Sequence, residues 1–290
     1  MATNIELIKV LRDRTGAGIM DCKNALTACD NDVDKACDWL REKGIAKQAK
    51  KADRIAAEGK VLVHVCEKCG KASIVEVNCE TDFVSNSDPF KELVNNCTEI
   101  VLKENCATLE DAVKATTSLF TDATVKLGEK LSFRRFEIVE QKGAEKIYSY
   151  IHMGGKIGVL LVLAKEDAEL GKGLAMHIAA NNPKFVHFND IPTEQIENEK
   201  KIQIEACKND PKLANKPEMA LVKIVEGKVN KFFSESVLDE QSYLLEPDKT
   251  VAQALKEKGN SVVKFVRYQV GEGIEKRVDD FAAEVAKQAA

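Results

Sequence analysis

The chain has 290 residues, 44% of them hydrophobic and 31% charged, with a formal net charge of -4. That length carries roughly two domains with a sizeable core, and the acidic balance argues against a general nucleic-acid binder, whose footprint is basic. No apolar run reaches the ~20 residues of a membrane helix, and Met1 to Glu6 lack a charged-then-apolar leader.

These features fit a bacterial cytoplasmic protein, and a processed organellar chain would look the same. With no leader, the nine cysteines read as mostly reduced thiols rather than a disulfide scaffold.

Residues 1–45 predict three short helices. Thr3 and Glu6 form a capping-box pattern ahead of Ile5, Ile8 and Leu11. The turn Thr15-Gly16-Ala17-Gly18 stops the first helix. A second follows over Asp21 to Ala28, with Cys22, Ala25 and Leu26 inward. Asn31-Asp32 caps a third, striped by Val33, Ala36, Cys37 and Leu40, with Gly44 as its stop. Residues 46–58 predict a basic linker helix bearing Lys47, Lys50, Lys51 and Arg54. It reads either as a solvated spacer or as an RNA or ribosome contact.

From Gly59 the apolar period becomes two. Val61, Val63 and Val65 alternate with Leu62, His64 and Cys66, Glu67 to Gly70 turn the chain, and Ala72 to Val77 return as a hairpin. Cys66-x-x-Cys69 sits at its tip. A structural zinc site usually needs four ligands, and no second such pair exists. Cys66 and Cys69 therefore remain a weak metal candidate beside a reversible disulfide or no special role.

The strand Ile74 to Val77 hands the chain to a loop, Asn78 to Ser85. Asp88 then caps a helix with Pro89 first and Phe90, Leu93, Val94, Cys97, Ile100 and Val101 on its apolar face. More helix follows to Leu127, and Phe133 to Val139 reads as a strand.

A second unit of similar grammar begins near Lys146. Ile147 to Met153 and Lys156 to Ala164 form a hairpin, Gly173 to Ala180 a helix, and Val262 to Val270 a closing strand. The parallel suggests an internal duplication. Between helix and strand, Thr193 to Lys208 and Pro217 to Lys231 form a charged helical pair, turned at Asn209-Asp210-Pro211-Lys212. Its thin stripe of Ile196, Ile202, Ala206, Met219, Val222 and Val225 predicts an arm projecting from the body. Gly271-Glu272-Gly273 leads into a last amphipathic helix with Phe281 and Val285.

No Gly-x4-Gly-Lys-Ser/Thr loop and no Gly-x-Ser-x-Gly elbow occurs, and the four histidines lack metal-ligand spacing on a helix. The reading is a non-enzyme with no cofactor and no nucleotide of its own. On local chemistry alone, Phe83 in its loop fits the core better than a contact surface.

Two motifs alter that balance: Leu11 to Lys23, and Asn78-Cys79-Glu80-Thr81-Asp82-Phe83-Val84. Weaker matches follow in order at Ile157 to Leu160, Ala175-Met176-His177-Ile178-Ala179 and Gly271 to Lys276. Together they resemble bacterial elongation factor Ts, the guanine-nucleotide exchange factor of elongation factor Tu.

The resemblance implies a multidomain α+β fold. Residues 1–45 become a ubiquitin-associated-like three-helix domain and 46–58 a linker helix. Residues 59–140 form one core subdomain, and 141–190 with 232–270 a related second one, each with a small antiparallel sheet. Residues 191–231 make an inserted coiled-coil hairpin, and 271–290 a C-terminal module that docks on the partner. It further implies that Phe83 inserts near the magnesium site of the GTPase, with Thr81, Asp82 and Val84 around it. Arg12, Ile19 and Met20 become a second contact on the guanosine side, and His177 a contact near the phosphate loop. Position 19 is often methionine in the family; Ile19 keeps the apolar character. The rival reading is a helical adaptor that binds ribosomes or RNA through Lys47 to Arg54, with salt-dependent affinity.

Overall fold

The computed structural model describes residues 5–51, 53–210 and 218–275. It is an α+β fold built on two three-stranded antiparallel sheets. The first joins β1 (Glu58–Cys66), β2 (Lys71–Cys79) and β3 (Ser132–Glu140) in that order. The second joins β4 (Lys146–His152), β5 (Ile157–Leu163) and β8 (Val262–Gln269). Each is a hairpin whose second strand also pairs with a later one. Each middle strand has a register irregularity against that later strand, at Glu76/Val77 and at Val162/Leu163.

The middle strands are buried almost throughout, because both of their faces are covered. Side chains alternate along a strand, so β2 sends Ile74 to one face and Val75 to the other. Ile74 joins Val61, Leu160 and Val162 in a core between the two sheets. Gly158 lets them approach: a Cβ there would lie 2.4 Å from Val61 Cγ1. Val75 and Val77 face α5 (Asp88–Lys103) and α6 (Leu109–Leu127) through Phe90, Leu93 and Phe120. On the far side, Leu161 and Leu163 meet Leu174 and Ile178 of α7 (Ala168–Asn181) and Leu255 of α10 (Val251–Glu257). The layers are thus helix, sheet, sheet, helix.

The N-terminal unit is α1 (Ile5–Thr15), α2 (Ile19–Ala28) and α3 (Val33–Lys50), closed around Leu11, Cys22, Leu26 and Leu40. Gly44 does not stop α3, which runs on through it. A Cβ at Gly44 would lie 2.7 Å from Val125 Cγ2 and 3.3 Å from the Thr121 carbonyl oxygen. The glycine is there because α3 crosses α6 closely. The expected break between a third helix and a linker helix is therefore one continuous helix over residues 33–50.

Two further expectations are corrected. The segment read as a loop contains a short helix, α4 (Asp82–Asn86). Ser87, not Asp88, is the N-cap of α5, and Pro89 is its second residue. The arm consists of α8 (Thr193–Asn209) and α9 (Glu218–Ser234), which pack mainly on each other. Cys207, Val225, Val229 and Phe233 line its buried seam, while the expected Ile202 and Val222 are each 51% exposed. A small β6 (Ser242–Tyr243) and β7 (Glu246–Thr250) pair precedes α10. Thr3 of the expected capping box, Pro211-Lys212 of the arm's turn, and the last helix with Phe281 and Val285 lie outside the described residues. Among the described residues no helix is long and apolar enough to cross a membrane.

Candidate functional site

The junction between β2 and α5 is built from the backbone outward. Thr81 has extended backbone and N-caps α4, its hydroxyl oxygen accepting from Val84 N–H at 3.3 Å. The same hydroxyl donates to Glu129 Oε1 at 2.6 Å. Glu129 Oε2 accepts the N–H groups of Glu80 and Thr81, each at 3.0 Å. Glu80 answers across the gap: its Oε1 accepts Lys130 N–H at 2.6 Å, and its carboxylate pairs with Arg54. Two segments far apart in sequence are thus locked by reciprocal carboxylate-to-amide bonds, the stronger kind of hydrogen bond.

On this base the four expected residues divide. Val84 turns toward the core under α5 and α6, and Ser85 behind it is fully buried. Asp82 is exposed in the first turn, where a carboxylate suits the positive end of the helix. Phe83 points out and is 87% exposed. A phenyl ring so placed contributes almost nothing to folding, which removes the core reading of Phe83.

The far end of α4 is tied as well. Lys60 of β1 is buried, and its ammonium donates to Asn86 Oδ1 at 3.3 Å and to the Gly154 carbonyl at 2.6 Å. Burial, helped by the charges of Lys156 and Lys91, holds its pKa below the ordinary lysine value. Lys60 thus links α4 to the β4–β5 turn, where Met153 is 70% exposed with φ of 48°. A groove beside Phe83 is lined by Arg54, Ile55, Glu58, Asp82, Asn86 and Lys156.

Arg12, Ile19 and Met20 gather elsewhere, at the α1–α2 turn. Arg12 is exposed, and Ile19 and Met20 at the start of α2 are 56% and 63% exposed. Their unit rests on α6 through Gly44 and an Arg41–Asp122 ion pair, and α6 leads directly to Glu129. The two clusters share that helix as a common support.

His177 does not join them. It is fully buried within the core of the second half. Its Nε2 lies 2.8 Å from Gln241 Oε1, and its Nδ1 accepts Leu244 N–H at 3.1 Å. That pattern defines a neutral ring protonated on Nε2, and burial holds its pKa below the ordinary value. The expected direct contact through His177 is corrected: no ring face reaches the surface, and the residue pins α7 to the 241–244 segment.

Cys66 and Cys69 sit at the hairpin tip with free thiols. Among the described residues, no group of three or more His, Cys, Asp or Glu side chains is arranged to hold a metal ion.

A family model described as elongation factor TS matches residues 80–272. The chain belongs to the elongation factor TS family. The match opens at Glu80, immediately before the locked cap, and Arg12, Ile19 and Met20 lie ahead of it. In this elongation factor TS chain, sequence reasoning missed Glu129 and Lys60, which hold the exposed turn in place, and placed Arg54, the partner of Glu80, on a spacer or RNA-binding helix instead. Only Glu129 left a signal: it follows Gly128, a helix-ending glycine with φ of 71°, so it stands where a chain reversal would present it.

Proposed function

We propose that this member of the elongation factor TS family is the guanine-nucleotide exchange factor of elongation factor Tu, and that Phe83 is its wedge. One observation carries the reading. Phe83 is 87% exposed on a helical turn whose cap is fixed by Glu129 and whose end is fixed by Lys60. A large apolar ring carried on a turn already ordered in the free protein leaves little backbone freedom to lose on binding. Inserting it between helices of a GTPase near its magnesium site returns roughly 1.5–3 kcal/mol.

Asp82 lies beside the ring, and Thr81 and Val84 hold the turn it stands on. Arg12, Ile19 and Met20 form a second contact. Binding of factor and nucleotide then weaken each other by the same ratio. The factor speeds GDP release and leaves the overall GDP–GTP equilibrium unmoved. No enzymatic step and no cofactor is required.

The reading also assigns residues 1–45 to a ubiquitin-associated-like unit and 191–231 to a coiled-coil arm. Of the basic run offered for RNA, Lys51 donates to the Gly128 carbonyl and Arg54 pairs with Glu80. The test is release of fluorescent GDP from elongation factor Tu with and without the protein. Faster release is expected, and unchanged release would remove the proposal.

A further inference from the structure

The β1–β2 hairpin carries chemistry that the exchange reading does not use. Glu58, at the opposite end of β1 from Cys66, pairs with Cys79. Eight residue steps of about 3.3 Å place the tip roughly 26 Å from the Phe83 end. The tip is a tight turn: the Cys66 carbonyl accepts Gly70 N–H at 3.0 Å and the Cys69 thiol at 3.6 Å. Gly70 closes it with φ of +65°. That i→i+4 bond closes a single helical turn, in which residues three apart, such as Cys66 and Cys69, are neighbours, as the two partners of a disulfide must be.

Solvent reaches this pair. Cys69 is exposed and Cys66 half-buried, whereas Cys22, Cys79, Cys97, Cys106 and Cys207 are buried. The thiols also differ in character. A hydrogen bond between the two thiol side chains draws the Cys66 pKa below its ordinary value and raises that of Cys69. Burial drives Cys79 and Cys97 up to about 12, leaving them inert.

We propose that Cys66 and Cys69 form a reversible dithiol–disulfide site that exchanges with small-molecule disulfides such as oxidised glutathione. The Cys66 thiolate attacks one sulfur of the small disulfide. A Cys66–glutathione bond forms, and one glutathione thiolate leaves and takes up the proton. Cys69, deprotonated, then attacks the Cys66 sulfur and expels the second glutathione. The protein loses two electrons and two protons, and the small disulfide becomes two thiols. A metal at the same place would need further ligands, and no such group occurs among the described residues.

The experiment uses the full chain, equilibrated in graded ratios of oxidised to reduced glutathione, quenched by alkylation and mapped by peptide mass spectrometry. The expected result is joint loss of the Cys66 and Cys69 thiols as an internal disulfide, with the other seven still alkylated. Cys69→Ser should form no internal disulfide and should accumulate glutathione on Cys66. Circular dichroism establishes that each variant is folded. The proposal is overturned if both thiols stay alkylated at the most oxidising ratio, or if Cys29 or Cys37 reacts first. It is also overturned if the reduced protein retains stoichiometric zinc through Cys66 and forms no disulfide. None of these outcomes depends on nucleotide exchange.

Discussion

The two halves of the core run the same path, hairpin, helix, closing strand, and differ at matched positions. Their strand irregularities align Glu76 with Val162. Five residues later come the two helix caps, Thr81 and Asp167, each accepting the N–H three residues on. Next come Val84 and Leu170, both turned inward. Between cap and anchor lie two exposed places, Asp82 matched by Ala168 and Phe83 matched by Glu169. Glutamate there is what helix physics favours, since a carboxylate complements the first turn. Phenylalanine has no folding reason to be there. The second half therefore acts as an internal control for the first: what the fold needs is common to both, and what only one half carries belongs to function or assembly.

The sharpest break of that comparison is Glu76→Val, which copies the second half's solution. Glu76 is fully buried and accepts from Arg134, Arg135 and the Gly271 N–H at 2.6–2.8 Å. Removing one partner of a buried ion pair costs about 3–5 kcal/mol. Urea unfolding should register a loss of that order; a change below about 1 kcal/mol would mean that the two arginines find water instead.

Phe83→Ala and Phe83→Glu should come next. Losing roughly 1.5–3 kcal/mol of burial against the partner corresponds to a tenfold to hundredfold drop in stimulated GDP release. Thermal stability should not move, because the ring is exposed when the protein is free. Wholesale unfolding of either variant by circular dichroism would sink the wedge.

Glu129→Ala is expected to be milder. It strips the cap segment of the bonds to the Glu80 and Thr81 amides and the Thr81 hydroxyl. A stability loss of about 1–2 kcal/mol is expected, together with a several-fold fall in exchange as the turn loosens. Intact exchange would show that the turn needs no lock.

The smallest effect is a pH dependence confined to the second half. Burial lowers the His177 pKa from an ordinary value of 6.5, so below that value the unfolded chain binds the proton more readily. His177 then costs nothing above about pH 6.5, and stability falls as pH drops from 6.5 toward the lowered native pKa. The slope stays under about 1.4 kcal/mol per pH unit. His177→Gln should flatten that decline relative to the parent protein; parallel curves would assign it to other groups.

The two hairpins were legible because short runs rich in Val, Ile and Leu, bounded by turn residues, are a local signal. Contacts made across long stretches of sequence were not. Gly44 looks like a helix stop until Val125 is seen against it. The five-residue α4 is too short for periodicity to reveal, and its lock, Glu129, lies 48 residues from Thr81. His177 was given a surface role by resemblance, while its burial comes from Gln241 and Leu244, more than sixty positions on. Phe83 ran the other way: its own chemistry suggested the core, and only the geometry of the cap turns it outward.

Gly271 carries one more consequence. A Cβ there would lie 2.4 Å from the Ala57 carbonyl oxygen, so the residue just before β1 lies against the second residue after β8. The core from 57 to 271 is in effect a ring with its seam at that contact. Chain ends that meet in space tolerate circular permutation. A short linker across the seam, with new termini opened at the exposed Gly143 turn, should therefore give a rearranged chain that folds to the same core.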